Sequence, residues 1–304
     1  MHEPVNTQDL TSKMTSRVTF VTPTYDRDLQ RFTLLRESME RFEIDIPHVA
    51  VVDDEDLPMF REMPYRHKLT LVSSRDALPA RIERRRATPV YRRRHPYHWI
   101  KPRPLHGWGA QQVMKLCSPQ YVETEGLICL DSDVFFVDHL EEKDFFTDDG
   151  VLHLYENDCE FTVEGISWMA QSMNALNVPL GQSPLLYIHN PVPLHRKVVL
   201  ALQETLANIH GKSWIDVFLE KNLTEYTTYG VFARYVNGLK HVAPVKPPFT
   251  LNYWSNEQLE GYTDTLLSKI RAKGARVVCI NSGIGRAVSE YRSIVEKAWA
   301  ANGR

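Results

Sequence analysis

From residue 17 onward the chain alternates short apolar runs with amphipathic stretches. RVTFVTPTY (17–25) is rich in β-branched residues and closes on proline and tyrosine, which predicts a strand running into a loop. After Asp26, a candidate helix cap, Leu29, Phe32, Leu35, Met39 and Phe42 recur at steps of three and four and mark the buried stripe of a helix. HVAVVDD (48–54) and KLTLVSS (68–74) predict two more strands, the first ending in acids. Strand, helix, strand, helical turn, strand is the order of an α/β domain with a mostly parallel sheet flanked by helices. GAQQVMKLCS (109–118) predicts a short helix that carries Gln112 and Lys115 on one face and Val113 and Leu116 on another. LICLDSDVFFV (127–137) and VLHLYE (151–156) predict further strands.

The second half is more helical. Val198, Val199, Leu202, Leu206 and Ile209 form one apolar stripe, and residues 214–236 predict a helix broken near Asn222 and restarted with Thr224 as its cap. A strand at 276–280, the turn NSGIG and a last helix with Val288, Tyr291, Ile294 and Val295 inward complete the pattern. No linker separates the halves, so the expectation is a disordered lead-in over 1–16 and one domain over 17–304 with a helical C-terminal elaboration.

Composition narrows the class. With 304 residues, 43% apolar and 24% charged, the chain has the profile of a soluble globular protein. A net charge of -2 gives no global attraction to nucleic acid or to anionic membrane. Locally the balance differs: residues 80–109 hold nine Arg or Lys and one Glu, interleaved with aromatics and prolines, and read as a long surface loop. If this loop binds, an anionic acceptor is expected through Arg84, Arg85, Arg92 and Arg93, ahead of a nucleic-acid backbone. Cys117, Cys129, Cys159 and Cys279 fit no zinc spacing and read as reduced thiols of a cytoplasmic protein. The first residues have no apolar core for a secretion signal. Residues 167–194 lack Asp, Glu, Lys and Arg, but their four prolines exclude a transmembrane helix, which leaves peripheral contact at the inner membrane face as the one membrane role expected.

The candidate chemistry lies in LICLDSDVFFV. Asp131 and Asp133 interrupt a run that is otherwise core-like, and buried carboxylates require hydrogen bonds, cations or a metal. Side chains one residue apart on a strand point to opposite faces, so a turn at Ser132 would bring both acids to one site. Open α/β sheets bind ligands at the carboxyl ends of their strands. Those ends carry Tyr25, Asp53 with Asp54, Ser74 with Arg75, and the aspartate pair, a set suited to a nucleotide diphosphate with Mg²⁺ or Mn²⁺. Three other readings compete. The acids could be solvated at a strand end. They could be the nucleophile and acid of a haloacid dehalogenase-type phosphatase, although that motif usually follows the first strand of its domain. A sugar nucleotidyltransferase normally opens on a Gly-rich phosphate loop, and RVTFVTPTYDRD has no glycine. His153, alternating with apolar neighbours, reads as a core histidine, and Trp108, between two glycines, as a packing anchor or a sugar platform.

VTFVTPTYDRDLQRFTLLRESMERF, HVAVVDDEDLPMF, GWGAQQVMKL, LICLDSDVFFV and LTEYTTYGVF form an ordered set over roughly residues 17–240. Together they resemble a bacterial family of glycosyltransferase-like proteins with the GT-A fold, often associated with polysaccharide loci. TPTYDR is also similar to the first strand of glucuronosyltransferases, and Gln111 through Asp133 to galactosyltransferases of the glycogenin type. The resemblance implies that Pro23, Thr24, Tyr25 and Arg27 line the base and ribose, and that Asp53 or Asp54 binds uracil or ribose. It implies that Lys115, with Gln112 beside it, faces the donor, and that Asp131 and Asp133 form the D-x-D motif that holds Mn²⁺ or Mg²⁺. Glu225, in a phrase similar to the family's E-Y-x-x-Y-G, becomes the candidate catalytic base, with Asp158, Glu160 and Glu164 as the next acids. A C-terminal histidine ligand, common in GT-A enzymes, has no clear match, with His241 the one candidate. The implied activity is transfer from a nucleotide-sugar, a UDP-sugar in particular, to a glycan, lipid-linked or other hydroxyl acceptor in surface polysaccharide synthesis. Residues 17–137 would then bind the nucleotide and 138–304 the acceptor. A degenerate domain that binds a sugar or polyanion without turnover is the non-enzymatic alternative.

Overall fold

A computed structural model of the chain describes residues 16–82, 107–158, 163–181, 185–247, 250–255 and 262–301. The central feature is a five-stranded sheet. Its strands are β1 (Val18–Thr24), β2 (His48–Val52), β3 (Leu69–Ser73), β4 (Gly126–Cys129) and, after four strands outside it, β9 (Val192–His195), in the order β3-β2-β1-β4-β9. The first four run parallel and β9 is antiparallel to β4. The chain thus grows the sheet outward from β1 through β2 to β3, then returns to the other side of β1 to lay down β4. That reversal places a topological switch point between the carboxyl ends of β1 and β4.

Alternation along β1 divides the core. Val18 and Phe20 face one layer, with Ile128, Leu130, the stripe Phe32, Leu35 and Met39 of α1 (Leu29–Arg41) and Phe42 at its C-cap. Val21 faces the other, with Leu127, Cys129 and Val113 and Leu116 of a helix at Gly107–Cys117. The cap of α1 differs from expectation: residues Asp26–Asp28 form a 3-10 turn, and Asp28, not Asp26, occupies the cap position. The first layer also encloses a polar network that breaks the apolar stripe. Arg36 is fully buried and donates to the carbonyls of Tyr65 (3.0 Å) and His67 (2.5 Å) and to His48 Nδ1 (3.1 Å). Because a guanidinium only donates, Nδ1 is the acceptor and the proton sits on Nε2, 2.9 Å from Thr22 Oγ1.

LICLDSDVFFV, expected as one strand, is two. β4 ends at Cys129, a turn covers Ser132 and Asp133, and Val134–Phe136 forms β5 of a different, three-stranded sheet. Both halves are apolar because both contribute to the same core layer. β6 (Leu152–Tyr155) pairs with β10 (Val242–Val245), and β7 (Asn157–Asp158) with β8 (Leu185–Leu186). In the three-stranded sheet β5 is antiparallel to β12 (Val277–Ile280), which lies parallel to β11 (Thr250–Tyr253). The break near Asn222 is observed: one helix covers Trp214–Glu220, Asn222 has φ of +53°, and a second helix begins at Glu225. The final helix buries Tyr291 and Val295 and continues inward with Ala298 and Trp299, whose Nε1 donates to the Phe136 carbonyl at 2.9 Å. Cys117, Cys129 and Cys279 are free and buried, and burial pushes the Cys117 thiol up to about 12. No helix among the described residues is long and apolar enough to cross a membrane. Cys159, Glu160 and the arginines at 84, 85, 92 and 93 lie outside the described residues.

Candidate active site

A cavity of about 1030 Å³ opens at the switch point. Pro23, Thr24 and Tyr25 enter it from the end of β1, Asp53 from the end of β2, and Asp131, Ser132 and Asp133 from the turn after β4. The helix at Gly107–Cys117 adds Gln112 and Lys115, and the helix Glu225–Val231 adds Glu225 and Tyr226, with Thr224 just before it. Asp158, Trp168, Trp254 and Ser282 complete the lining from further segments of the second half. The structure places Arg27, Asp54 and Arg75 outside it. Arg27 is exposed, and Asp54 is held by Ser73 and paired with Arg75, an exposed side chain.

Lys115 is the centre of the polar floor. It is 4% exposed, so solvent does not explain its place on the helix. Its ammonium lies 2.7 Å from Asp131 Oδ1, 2.9 Å from Glu225 Oε1 and 4.6 Å from the centre of the Tyr226 ring. Burial by itself would lower its pKa, but the two carboxylates outweigh burial and hold it well above the ordinary lysine value. Gln112, one turn earlier on the same face, is also buried, and its Oε1 accepts the backbone N–H of Glu225 at 3.2 Å. It fills the capping role expected of Thr224, whose side chain makes no cap hydrogen bond.

The two aspartates are held differently. Asn190 clamps Asp131 on both sides: its Nδ2 donates to Asp131 Oδ2 at 2.7 Å, and its Oδ1 accepts the Asp131 backbone N–H at 3.0 Å. Asp133 is buried and accepts from the backbone N–H of Ser282 at 2.6 Å and from Cys279 Sγ at 3.5 Å. Burial, together with the charge of Asp131, pushes the Asp133 carboxyl up to about 6. The turn at Ser132 thus brings two like charges to one cavity wall. This donor set fits Mg²⁺ or Mn²⁺, which take oxygen ligands and usually complete their shell with water and substrate phosphate. Among the described residues no group of three or more His, Cys, Asp or Glu is placed to hold a metal alone. His241 stacks on His195, with ring centres 4.8 Å apart, in a separate depression with Glu123 and Glu125.

Sequence reading did not find Asn190, Ser282, Tyr226 or Trp254, all of which line or support this site. NSGIG acts through a backbone amide, which no side-chain pattern reports. Trp108 is 57% exposed at the cavity wall, with its ring 6.4 Å from that of Trp168. His153 is half-buried and does not reach the cavity.

The chain belongs to a family of unknown function, DUF6492, which it matches over residues 15–265. No curated protein matches it. Among solved structures it is similar to mouse xyloside xylosyltransferase 1 in its apo form, at 12% identity and a TM-score of 0.47, over 88% of this chain and 98% of that one. It is also similar to the galactosyltransferase LgtC in complex with donor and acceptor sugar analogs, at 12% identity and a TM-score of 0.46, over 92% and 95% of the two chains. A third similar structure is the apo bifunctional glycosyltransferase WbbM, at 12% identity and a TM-score of 0.46, over 87% of this chain and 45% of that one.

Proposed function

We propose that the chain is a metal-dependent glycosyltransferase of the GT-A type. It would move a sugar from a nucleotide-sugar, specifically a UDP-sugar, to a hydroxyl of a glycan or lipid-linked acceptor in bacterial surface polysaccharide synthesis. The observation that carries this reading is the aspartate pair at the switch point, in one cavity with the aromatic and acidic ends of β1 and β2. Residues 17–137 would supply the nucleotide half and 138–304 the acceptor half.

Asp131 and Asp133 would hold Mn²⁺ or Mg²⁺, whose charge would offset that of the leaving diphosphate. The remaining roles belong to the chain itself. Tyr25, with Pro23 and Thr24, offers a surface for the base and ribose, and Asp53 an acceptor for their N–H or hydroxyl groups. Lys115 and Asn190 fix the Asp131 carboxylate before any ligand arrives, so its orientation is not lost to rotamer entropy on binding. Glu225 has one oxygen committed to Lys115, which supports a positioning role ahead of the base role. The acceptor would enter along the Trp108 and Trp168 wall.

A thermal-shift panel of UDP, GDP and CDP with and without Mn²⁺ tests the reading, since a ligand that binds only the folded state raises its apparent stability. UDP with Mn²⁺ should give the largest shift, and Asp131→Asn and Asp133→Asn should each abolish it while remaining folded. An equal shift in both variants, or no shift with any nucleotide, rejects it. A shift with full binding but no transfer to any acceptor would instead favour the degenerate binding domain.

A further inference from the structure

On the reading that the cavity holds a nucleotide-sugar, we infer that the sugar it accepts is uncharged, a neutral hexose or pentose and not a uronic or other acidic sugar. The charges of the lining carry this. Asp28, Asp53, Asp131, Asp133, Asp158 and Glu225 face the cavity, and among its described lining residues Lys115 is the single cation. Asp28 is paired with Arg31 at 3.0 Å, but neither Arg31 nor any other described arginine reaches the lining.

Lys115 has nothing left to offer an anion. An ammonium has three N–H donors. Two meet Asp131 and Glu225, and the face of Tyr226 lies within cation–π range of the nitrogen. Turning the ammonium toward a sugar carboxylate would strip a charge partner from Glu225, which is only 6% exposed. Among the described lining residues, a uronate placed here would meet the net negative charge of this cluster without a free counter-charge.

The uncharged polar part of the lining suits hydroxyls. Gln111, Asn157 and Ser282 line the cavity and are not buried. Side-chain amides and hydroxyls offer both donors and acceptors, so they can pair with the alcohols of a neutral sugar without any charge.

The test is a calorimetric series in Mn²⁺ with UDP, UDP-glucose, UDP-galactose, UDP-xylose and UDP-glucuronic acid. UDP reports the underlying reading: if UDP does not bind, that reading fails and this inference falls with it. With UDP bound, at least one neutral UDP-sugar should bind as tightly as UDP or tighter, and UDP-glucuronic acid about 100-fold more weakly than that sugar. UDP-glucuronic acid binding as tightly as the best neutral sugar overturns the inference while leaving the function intact. Glu225→Gln gives a second readout that a folding defect does not mimic, because it is a ratio within one variant. Removing this negative charge should narrow the preference for the neutral sugar by about tenfold. An unchanged ratio overturns the inference that the negative charge of the lining sets the preference.

Discussion

Lys115 is a buried cation whose two carboxylate partners come from segments distant in sequence, one after β4 and one at the start of the helix Glu225–Val231. Removing it leaves Glu225 buried and uncompensated, an effect of about 3–5 kcal/mol for a buried pair. Asp131 suffers less, because its side chain is 37% exposed and water can replace the lost partner. Lys115→Met should therefore lower unfolding free energy strongly, Glu225→Gln less so, and the double variant by less than their sum. A double-mutant cycle by urea denaturation should return a coupling of about 2 kcal/mol, and simple additivity would show that the pair is not an energetic unit. The same Glu225→Gln protein separates two chemical roles: a positioning residue loses metal-dependent UDP affinity, whereas a base keeps that affinity and loses turnover. At this scale the sequence was informative where chemistry is carried by side chains with an evident anomaly. Acids in an apolar strand and a lysine on the same helix face as a glutamine could be read directly. Asn190 could not, because its value lies in reaching a residue 59 positions away, and Ser282 acts through its amide alone.

The elements explain why those residues meet. The helix Glu225–Val231 can approach Tyr187 only because residue 230 is glycine: a Cβ there would fall 2.2 Å from the Tyr187 ring. Alanine in a helix gains about 1 kcal/mol of propensity over glycine. Here overpacking wins, since Tyr187 is 2% exposed and cannot swing into solvent, and such insertions cost about 1–3 kcal/mol or more. Gly230→Ala should be clearly destabilised in thermal melts, and adding Tyr187→Ala should recover part of the loss. A variant as stable as the parent would mean that the helix shifts freely, which its role in seating Glu225 excludes. The early elements were legible because each follows a local period: alternation in β1 and steps of three and four in α1. LICLDSDVFFV misled because two strands of different sheets share one core layer, and the short polar turn at Asp131, Ser132 and Asp133 is the only local sign that the chain changes sheet there. The helix Val163–Ala175 and β9 lie largely in a stretch almost without charges, where the polar face of the helix is marked by uncharged Ser167, Gln171 and Asn174. The pairing of β9 with β4 is long-range and leaves no local trace.

At the level of the whole molecule, buried histidines couple folding to pH. His48 lies between Arg36 and Thr22, and burial, with the Arg36 charge, holds its pKa well below the ordinary value near 6.5. His189 is 5% exposed, with Tyr155 ring-edge to it, and burial lowers it to about 4. Both are neutral in the folded state, while the unfolded chain takes up protons below about 6.5. The stability they contribute is thus complete above that pH and is lost as pH falls, at about 1.4 kcal/mol per pH unit for each group while it stays neutral. Asp133 works in the opposite direction. Its folded pKa, about 6, lies above its unfolded one, so the folded protein holds a proton that the unfolded chain has released, and acidification below 6 strengthens it. At pH 5.5 that gain is below about 1 kcal/mol, against a loss of about 3 kcal/mol from the two histidines, so the histidines decide the sign. Urea denaturation in chelator should show lower stability at pH 5.5 than at 7.5. His189→Leu should flatten that difference by about 1.4 kcal/mol whatever it costs at pH 7.5, because leucine has no proton to take up in the unfolded chain. Parallel profiles for the parent and His189→Leu would show that His189 titrates alike in both states, and the acid sensitivity would then rest on His48 and on His195, which burial also lowers to about 4.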